Sequence, residues 1–339
     1  LASQPTLSRF ENRVTRRELF AMAQILVDQF LARHAGGRPK YLLLDFDATD
    51  DETHGQQQFA EFHGFYDHHC YLPLIVTGQV DGGPQELLVA WLRRGRSHAS
   101  RGALGVLKRL VAQLRAKWPG VPILVRGDSG FAAPALYEWC EAQGKPVWYL
   151  IGLAQNSRLL GLAEPHLAAA REACARTGEK VRRLHDVTYA ADSWPRERRV
   201  LVKAEVGPRG DNPRFVVTNL RGRAAGLYEL YAARGEMENR IKELKCDLRM
   251  DRTSCHRFAA NQFRVLLHAA AYLLLGALRE ALAGTELASA QVGTLQRRLL
   301  KLGVRVKETA RRVWLQFASS CPLQSLWPQL LARLKPLPT

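Results

Sequence analysis

Two short apolar runs that each end in an aspartate constrain the fold of this chain most strongly. The first, Tyr41–Asp47, follows the breaker sequence Gly36-Gly37-Arg38-Pro39, and the second, Pro122–Asp128, precedes a turn and a predicted helix over 132–143. Continuous apolar runs of this length predict strands buried on both faces. Catalytic groups commonly lie just outside the ends of strands in α/β sheets, so both runs are candidate parts of one site.

A third acidic residue lies on a predicted helix over Leu227–Leu248, a segment without proline. At about 100° per residue, four residues share one edge of this helix within an arc of about 60°: Tyr231, Arg234, Glu238 and Lys245. This edge presents a carboxylate framed by cations and a phenol, which suits metal binding beside a phosphate backbone. The alternative is a solvated helix whose i,i+4 charge pairs contribute about 0.2–0.5 kcal/mol each.

At these motifs the chain resembles the DDE transposases of bacterial insertion sequences. The Tyr-x2-Arg-x3-Glu-x6-Lys pattern follows an Asp-x-Thr strand at Asp47–Thr49 and an Arg-Gly-Asp-Ser-Gly-Phe strand at Arg126–Phe131. The segments Asp47–Asp51, His54–Gln58 and Tyr71–Leu74 resemble specifically the thirteen-eighty family of insertion sequences. The resemblance extends over most of the chain, to about Leu334.

The resemblance implies a catalytic and metal-binding triad of Asp47, Asp128 and Glu238. Asp45 remains an alternative to Asp47 as the first metal ligand, because the side chains of both leave the same face of their strand. The Asp-x-Thr context favours Asp47. Seven residues are predicted to contact DNA, the first three near the cleaved phosphate: Tyr231, Arg234, Lys245, Lys242, Trp194, Arg198 and Arg264.

Two of these predicted DNA contacts have structural alternatives. Trp194 lies between two predicted strands and either stacks on an unpaired base or packs over its own hairpin. Arg264 opens an apolar helix and either meets a phosphate or pairs with an acidic neighbour.

Three carboxylates suit the chemistry of phosphodiester cleavage. A two-metal site, about 3.5–4 Å between ions, activates the nucleophile and stabilises the leaving oxygen. Hard oxygen ligands favour Mg²⁺, with Mn²⁺ as a possible substitute. By resemblance, water hydrolyses the strand at the element end, and the released 3′-hydroxyl attacks target DNA without a covalent protein intermediate.

The order of predicted elements matches an α/β fold with an RNase H-like mixed sheet flanked by helices. Strands near 41–47, 71–78 and 86–92 precede a helix at 101–117. The 109 residues between Asp128 and Glu238 are too many for one crossover, which predicts a β-rich insertion. Five parts follow: an N-terminal helical segment at 1–40, incomplete at its start; the first core part at 41–154; the insertion at 155–222; the second core part at 223–290; and a C-terminal segment at 291–339.

Composition favours a DNA partner. Lys and Arg number 49 against 32 Asp and Glu, giving a net charge of +17 and a pI near 10.0. Such a field attracts polyanions and makes binding dependent on salt. Part of the positive charge is clustered, at Arg93-Arg94-Gly95-Arg96 and around Trp194, although any single run of this kind is more often a solvated surface.

The remaining features place the protein in the bacterial cytoplasm, at the nucleoid. Six cysteines without a CxxC pair indicate reduced thiols, and the apolar run Val265–Leu278 is too short to span a bilayer, so no membrane partner is expected. The resemblance implies double-stranded DNA partners, namely the terminal inverted repeats and the target, and a homodimer in the DNA complex. The alternatives are a structure-specific nuclease without strand transfer, a catalytically inactive DNA-binding descendant, and a non-enzymatic assembly protein.

Overall fold

The computed structural model describes residues 2–321 and 323–334. Its helices are α1 Gln4–Asn12, α2 Arg16–Arg33, α3 Ala103–Lys117, α4 Pro134–Glu141, α5 Ser157–Thr177, α6 Ala224–Ala232, α7 Gly235–Lys242, α8 Phe258–Ala281, α9 Val292–Leu295 and α10 Leu326–Arg333. Its strands are β1 Leu42–Ala48, β2 Asp51–Glu52, β3 Glu61–His63, β4 His68–Tyr71, β5 Leu74–Val80, β6 Glu86–Trp91, β7 Ile123–Gly127, β8 Val147–Leu153, β9 Val181–Tyr189, β10 Arg198–Gly207, β11 Gly210–Asp211, β12 Arg214–Thr218, β13 Val304–Glu308 and β14 Val313–Phe317.

A mixed sheet of nine strands forms the centre of the protein. The strand order is β11-β10-β12-β8-β7-β1-β5-β6, and β9 pairs with the free side of β10. β1, β7 and β8 run parallel to one another, whereas every other pair in this sheet is antiparallel. The carboxyl ends of β1 and β7 therefore lie at the same edge of the sheet.

Helices cover both faces of this sheet, and the alternation of side chains in β1 shows why. Leu42, Leu44 and Phe46 pack in a core with α3, α4 and α5. Leu43 packs on the other face against α6. Because side chains alternate along a strand, Asp45 and Asp47 leave the α6 face together with Leu43.

Most predicted elements of the first 220 residues are confirmed. The three antiparallel strands β1, β5 and β6 precede α3. The strands expected between 155 and 222 exist as β9, β10 and β12, and they continue the central sheet beyond β8. The C-terminal segment contains the hairpin β13–β14 and the helix α10.

The prediction of one continuous helix over Leu227–Leu248 is wrong. The helix breaks after α6, where the amide of Arg234 donates to the carbonyl of Tyr231 in a tight 3₁₀-type turn. Gly235, a poor helix former, begins α7. After α7 the backbone widens into a π turn over Glu243–Asp247. These two changes of pitch alter the angular positions that a uniform helix would give.

A small sheet of three short strands was not predicted. It has the order β2-β4-β3 and lies between β1 and β5 in the chain. Its strands are two to four residues long, too short for alternation to be read from the sequence.

Helix α8 is longer than the apolar run that predicted it. It spans 24 residues, and its most apolar window has a mean hydropathy of 1.2, enough by length and composition to cross a membrane. Half of that window is buried within the fold, and the buried Gln262 amide binds the backbone of Ala90 in β6 and of Leu92 directly after it. These contacts are those of a core helix. All six cysteines are free.

Candidate active site

Asp47 and Asp128 are brought together by the parallel pairing of β1 and β7. The register aligns Asp45 with Arg126 and Phe46 with Gly127, so its continuation places Asp47 beside Asp128. Neighbouring strands lie about 4.8 Å apart. Asp47 is 8% exposed, and its Oδ1 accepts from the Ala48 amide at 2.9 Å. Asp128 is half-buried and accepts from the Gly130 amide at 2.9 Å.

Asp45 occupies a different environment, although it shares a face with Asp47. It is fully buried, and the Arg126 guanidinium binds both of its oxygens, at 2.7 and 2.6 Å. The Gln85 amide donates a further hydrogen bond at 2.6 Å. Both oxygens of Asp45 are thus engaged in a structural pair, which leaves Asp47 as the carboxylate that faces the edge.

Arg234 connects the strand carboxylates to Glu238. Its Nη1 lies 3.0 Å from Oδ2 of Asp47, and its Nη2 lies 3.9 Å from Oε1 of Glu238. Through the planar guanidinium, these two carboxylate oxygens lie no more than roughly 9 Å apart. The side chain of Glu238 is 56% exposed. The three carboxylates therefore face one region, with an arginine between two of them.

The electrostatics of this region follow from its burial and its negative charge. The pKa of Asp47 is raised to about 6, chiefly by burial, although Arg234 opposes the shift. The charges of Asp128 and Glu238 contribute to this rise, because like charges disfavour ionisation. A cluster of this kind attracts cations.

The donor set suits a divalent metal by its chemistry, since three carboxylates supply hard oxygen ligands. Within residues 2–321 and 323–334, no three acidic, histidine or cysteine side chains come close enough together to hold an ion as they stand. Arg234 occupies the space at Asp47. Binding by the triad therefore requires Arg234 and the exposed Glu238 side chain to change rotamer.

Tyr231 is positioned by a glycine on β8. A Cβ atom on Gly152 would lie 2.7 Å from the Tyr231 hydroxyl and 3.0 Å from the Ser129 amide nitrogen. The phenol thus rests on the bare backbone of β8, next to the turn that follows Asp128. Burial raises the pKa of Tyr231, so the hydroxyl stays protonated and available as a donor.

Lys245 holds the loop that follows Asp47. Its Nζ lies 2.8 Å from Oδ1 of Asp50, 2.8 Å from the Asp50 carbonyl and 3.2 Å from the Thr49 hydroxyl. Burial alone would raise the pKa of Asp50, but hydrogen bonding to Lys245 lowers it overall. Lys242, one turn earlier, is exposed to solvent.

Trp194 and Arg198, which were also predicted to contact DNA, lie away from the three carboxylates and pack against other residues of the protein. Trp194 packs edge-on against Tyr137 and Tyr189, each at 5.4 Å between ring centroids. Arg198 is buried, and its Nε and Nη2 bind the Glu141 carboxylate at 2.9 and 3.0 Å. These contacts support the structural alternative for Trp194 and give Arg198 a structural role, while their contact with DNA stays an untested prediction.

Arg264 pairs with an acidic neighbour, which was the structural alternative to a contact with a DNA phosphate. Its Nε and Nη2 each lie 3.0 Å from a Glu11 carboxylate oxygen, which ties α1 to α8.

Two residues near the carboxylates were missed by sequence reasoning. The Tyr66 pKa is raised to about 12, first by burial and then by the charges of Asp50, Asp47 and Asp128, so its phenol lies near them. Nε2 of His68 lies 3.2 Å from Oδ2 of Asp50. Both residues belong to β4 or to the turn before it, and the small sheet that positions them had no periodic signal.

The chain matches a known protein family and is similar to known structures. The model of the family described as transposase DDE domain group 1 matches residues 1–339. Among solved structures, the chain is similar to a piggyBac transposase in a synaptic complex with hairpin DNA, with 13% identity and a TM-score of 0.38 over 80% of this chain and 55% of that one. It is also similar to the NurA nuclease from Sulfolobus solfataricus, with 8% identity and a TM-score of 0.29 over 78% of this chain and 98% of that one.

The chain spans about 55% of the length of the piggyBac transposase that it matches. No curated protein matches its sequence. The family model covers the whole chain, including the two strand aspartates and the segment that carries Glu238. This protein therefore belongs to the transposase DDE domain group 1 family.

Proposed function

We propose that this chain is the catalytic core of a thirteen-eighty-type insertion-sequence transposase, which cuts DNA at the element ends and joins the freed 3′ end to target DNA. The observation that carries the proposal is the placement of Asp47 in β1 and of Asp128 directly after the parallel β7, with Glu238 linked to Asp47 through Arg234. The full pairing of Asp45 with Arg126 supports Asp47 as the first member of the triad.

The sheet topology supports an RNase H-like core. The order β6-β5-β1-β7-β8, antiparallel in its first three strands and parallel in its last three, is the arrangement expected for that fold. In this interpretation, β9 to β12 are an insertion that has extended the sheet, and α6 and α7 return the chain to the catalytic edge.

Asp47, Asp128 and Glu238 would hold Mg²⁺, with Mn²⁺ as a substitute. When bound, the metal neutralises charge on the phosphodiester and activates the attacking oxygen. With a pKa of about 6, Asp47 is mostly ionised at neutral pH, so ion binding would displace chiefly the Arg234 guanidinium there and would displace a proton as well only at lower pH.

Three side chains would bind DNA phosphates, namely Tyr231, Lys245 and, once it has left Asp47, Arg234. The Arg234 fork matches a phosphate in two hydrogen bonds. The Tyr231 hydroxyl lies beside the turn after Asp128 and can donate to a non-bridging oxygen. Lys242 extends this basic surface along α7, while Lys245 also keeps Thr49 and Asp50 in place behind Asp47.

The proposed partners are double-stranded DNA with the terminal inverted repeats and a target duplex. A homodimer would hold the two element ends together while both are joined. The place of action would be the bacterial cytoplasm, at the nucleoid.

A strand-transfer assay tests the proposal. The substrates are a labelled duplex taken from the DNA that flanks the gene and a target plasmid, with Mg²⁺. Asp128→Asn and Glu238→Gln should each lose cleavage and joining by more than about a hundredfold, while DNA affinity is retained. Glu236→Gln is the matched control on the same helix, because Glu236 pairs with Arg240 at 3.0 Å away from the carboxylates and should keep both steps.

The outcomes separate the alternatives. Cleavage without joining by the wild-type chain would identify a nuclease, and DNA binding without cleavage would identify an inactive descendant. Full activity in Asp128→Asn or Glu238→Gln would refute the triad.

A further inference from the structure

A cavity of about 550 Å³ lies beside the catalytic edge and is lined by four arginines. We call it the arginine cavity and define it by Arg16, Arg93, Arg94, Arg101 and Gly102. Its lining residues, all within the described part of the chain, include no Asp or Glu. It contains Arg93 and Arg94 from the basic run Arg93-Arg94-Gly95-Arg96, to which the proposed catalytic site assigns no role.

Arg93 is the least ordinary of these arginines, because it is buried and pairs with no carboxylate among the described residues. It is 8% exposed, and its guanidinium donates to the carbonyls of Leu72, Ala99 and Arg101 at 2.7 to 2.9 Å. Its Nη2 is buried and has no hydrogen-bond partner among the described residues. A buried charge is costly unless it is paired, so this guanidinium lacks an anion.

The other arginines increase the positive potential. Of these, only Arg94 has a carboxylate within 4 Å among the described residues, namely Glu61 at 2.8 Å. Arg16 and Arg101 are exposed at the rim.

The first turn of α3 also faces this cavity through Gly102, its N-cap residue. It has no side-chain cap and no acidic residue. Free amide groups and the helix dipole at such an end favour an anion.

The arginine cavity lies at the same sheet edge as the carboxylates. Ala48 at the end of β1 pairs with Leu74, and Leu74 pairs with Trp91 at the end of β6. Two strand spacings amount to about 10 Å. The loop that Arg93 organises also meets the Asp128 turn, since a Cβ on Gly130 would lie 2.7 Å from that of Ala99.

We infer that the arginine cavity binds a backbone phosphate of the DNA strand that passes over the catalytic carboxylates. This assignment rests on the proposed function, because it takes DNA as the substrate. Arg93 fixes the loop and supplies a desolvated charge, and Arg16 and Arg101 complete the site from the rim.

The test uses Arg16→Gln with Arg101→Gln in one chain, which leaves the buried Arg93 and its loop intact. Arg16 stands in the first turn of α2, where a cation opposes the helix dipole, so its removal should not lower stability. The matched control is Arg176→Gln with Arg209→Gln, two exposed arginines beside β9 and β11, which lie at the other side of the strand order from β6. Thermal unfolding checks that both double variants are folded.

Binding is measured by fluorescence anisotropy with a fluorescein-labelled duplex of arbitrary sequence, in EDTA, between about 50 and 200 mM salt. The cavity variant should bind about tenfold more weakly, and the slope of log K against log salt should fall by about 1, as expected for the loss of one phosphate contact. The control should stay close to wild type, because distant charges are screened at these salt concentrations. Equal slopes for the two double variants would overturn the inference.

Two further arms identify the source of the phosphate and separate this inference from the proposed function. If inorganic phosphate raises the melting temperature of the wild type but not of the cavity variant, while DNA binding is equal in both, the site takes a free anion and the DNA assignment is wrong. Mg²⁺-dependent cleavage by the wild type tests the proposed function independently. A chain that binds DNA through the cavity but never cleaves it would refute only that function.

Discussion

The carboxyl group of Asp47 is buried and lies near two other carboxylates and one arginine, and these surroundings shift its pKa. The pKa is raised from its ordinary value of 3.8 to about 6. The folded chain therefore binds this proton more tightly than the unfolded chain does. The free energy of unfolding therefore decreases as pH rises from about 4 to about 6, and it stays lower above that range.

Asp47→Asn should remove this pH-dependent loss. In metal-free buffer at pH 7.5 we expect the variant to be more stable than wild type by about 1–3 kcal/mol, because one pKa unit corresponds to about 1.4 kcal/mol. At pH 4 the two proteins should be equally stable, which serves as the internal control. Urea unfolding at both pH values measures the difference, and a variant less stable than wild type at pH 7.5 would contradict the assignment.

The contact between α6 and β8 depends on a residue without a side chain. Gly152→Ala would bring a Cβ to 2.7 Å from the Tyr231 hydroxyl, so the phenol must move. We expect cleavage to fall by about tenfold, since small misplacements in an active site are costly. Stability should fall by only about 1–2 kcal/mol, because the end of a side chain can shift.

Gly161→Ala is the matched control for that change. Gly161 lies inside α5 with open space around it, so alanine should slightly stabilise the helix and leave cleavage unchanged. Wild-type cleavage by Gly152→Ala would show that the position of Tyr231 does not matter.

The extension of the sheet is attached to α4 by a buried ion pair. Glu141 accepts from Arg198 of β10 and, at 2.6 Å, from the Tyr149 hydroxyl of β8. Glu141→Gln would leave the Arg198 charge buried without its partner, and we expect a loss of about 2–4 kcal/mol. Chemical unfolding measures it. Glu164→Gln, which removes an exposed pair with Arg171, should leave stability essentially unchanged, and an equal loss in both variants would refute the buried role.

At the scale of the whole molecule, the sequence predicts the structure correctly where the pattern of apolar residues is local, or where the pairing of parallel strands determines which residues lie together. The runs ending in Asp47 and Asp128 are strands, and the pairing of β1 with β7 brings their ends together. The expected strands of the insertion are also present, and only their membership of the central sheet required the structure.

Sequence and structure differ where contacts between residues distant in the chain determine the local conformation or the partner of a side chain. The break before α7 accompanies the pairing of Arg234 with Asp47, 187 residues away. The π turn holds the buried Glu243, which is bound by Tyr272 and Arg279 of α8. Arg198 and Arg264 likewise find their partners, Glu141 and Glu11, in remote parts of the chain. No local pattern in the sequence encodes these partners.

The order in which a ribosome delivers these parts has a consequence for the cell. Two carboxylates emerge early, but Glu238 follows Asp128 by 109 intervening residues, after β9 to β12. A chain whose synthesis stops within that interval lacks the third acidic group as well as Lys245. With the proposed triad incomplete, such a fragment would not cut DNA.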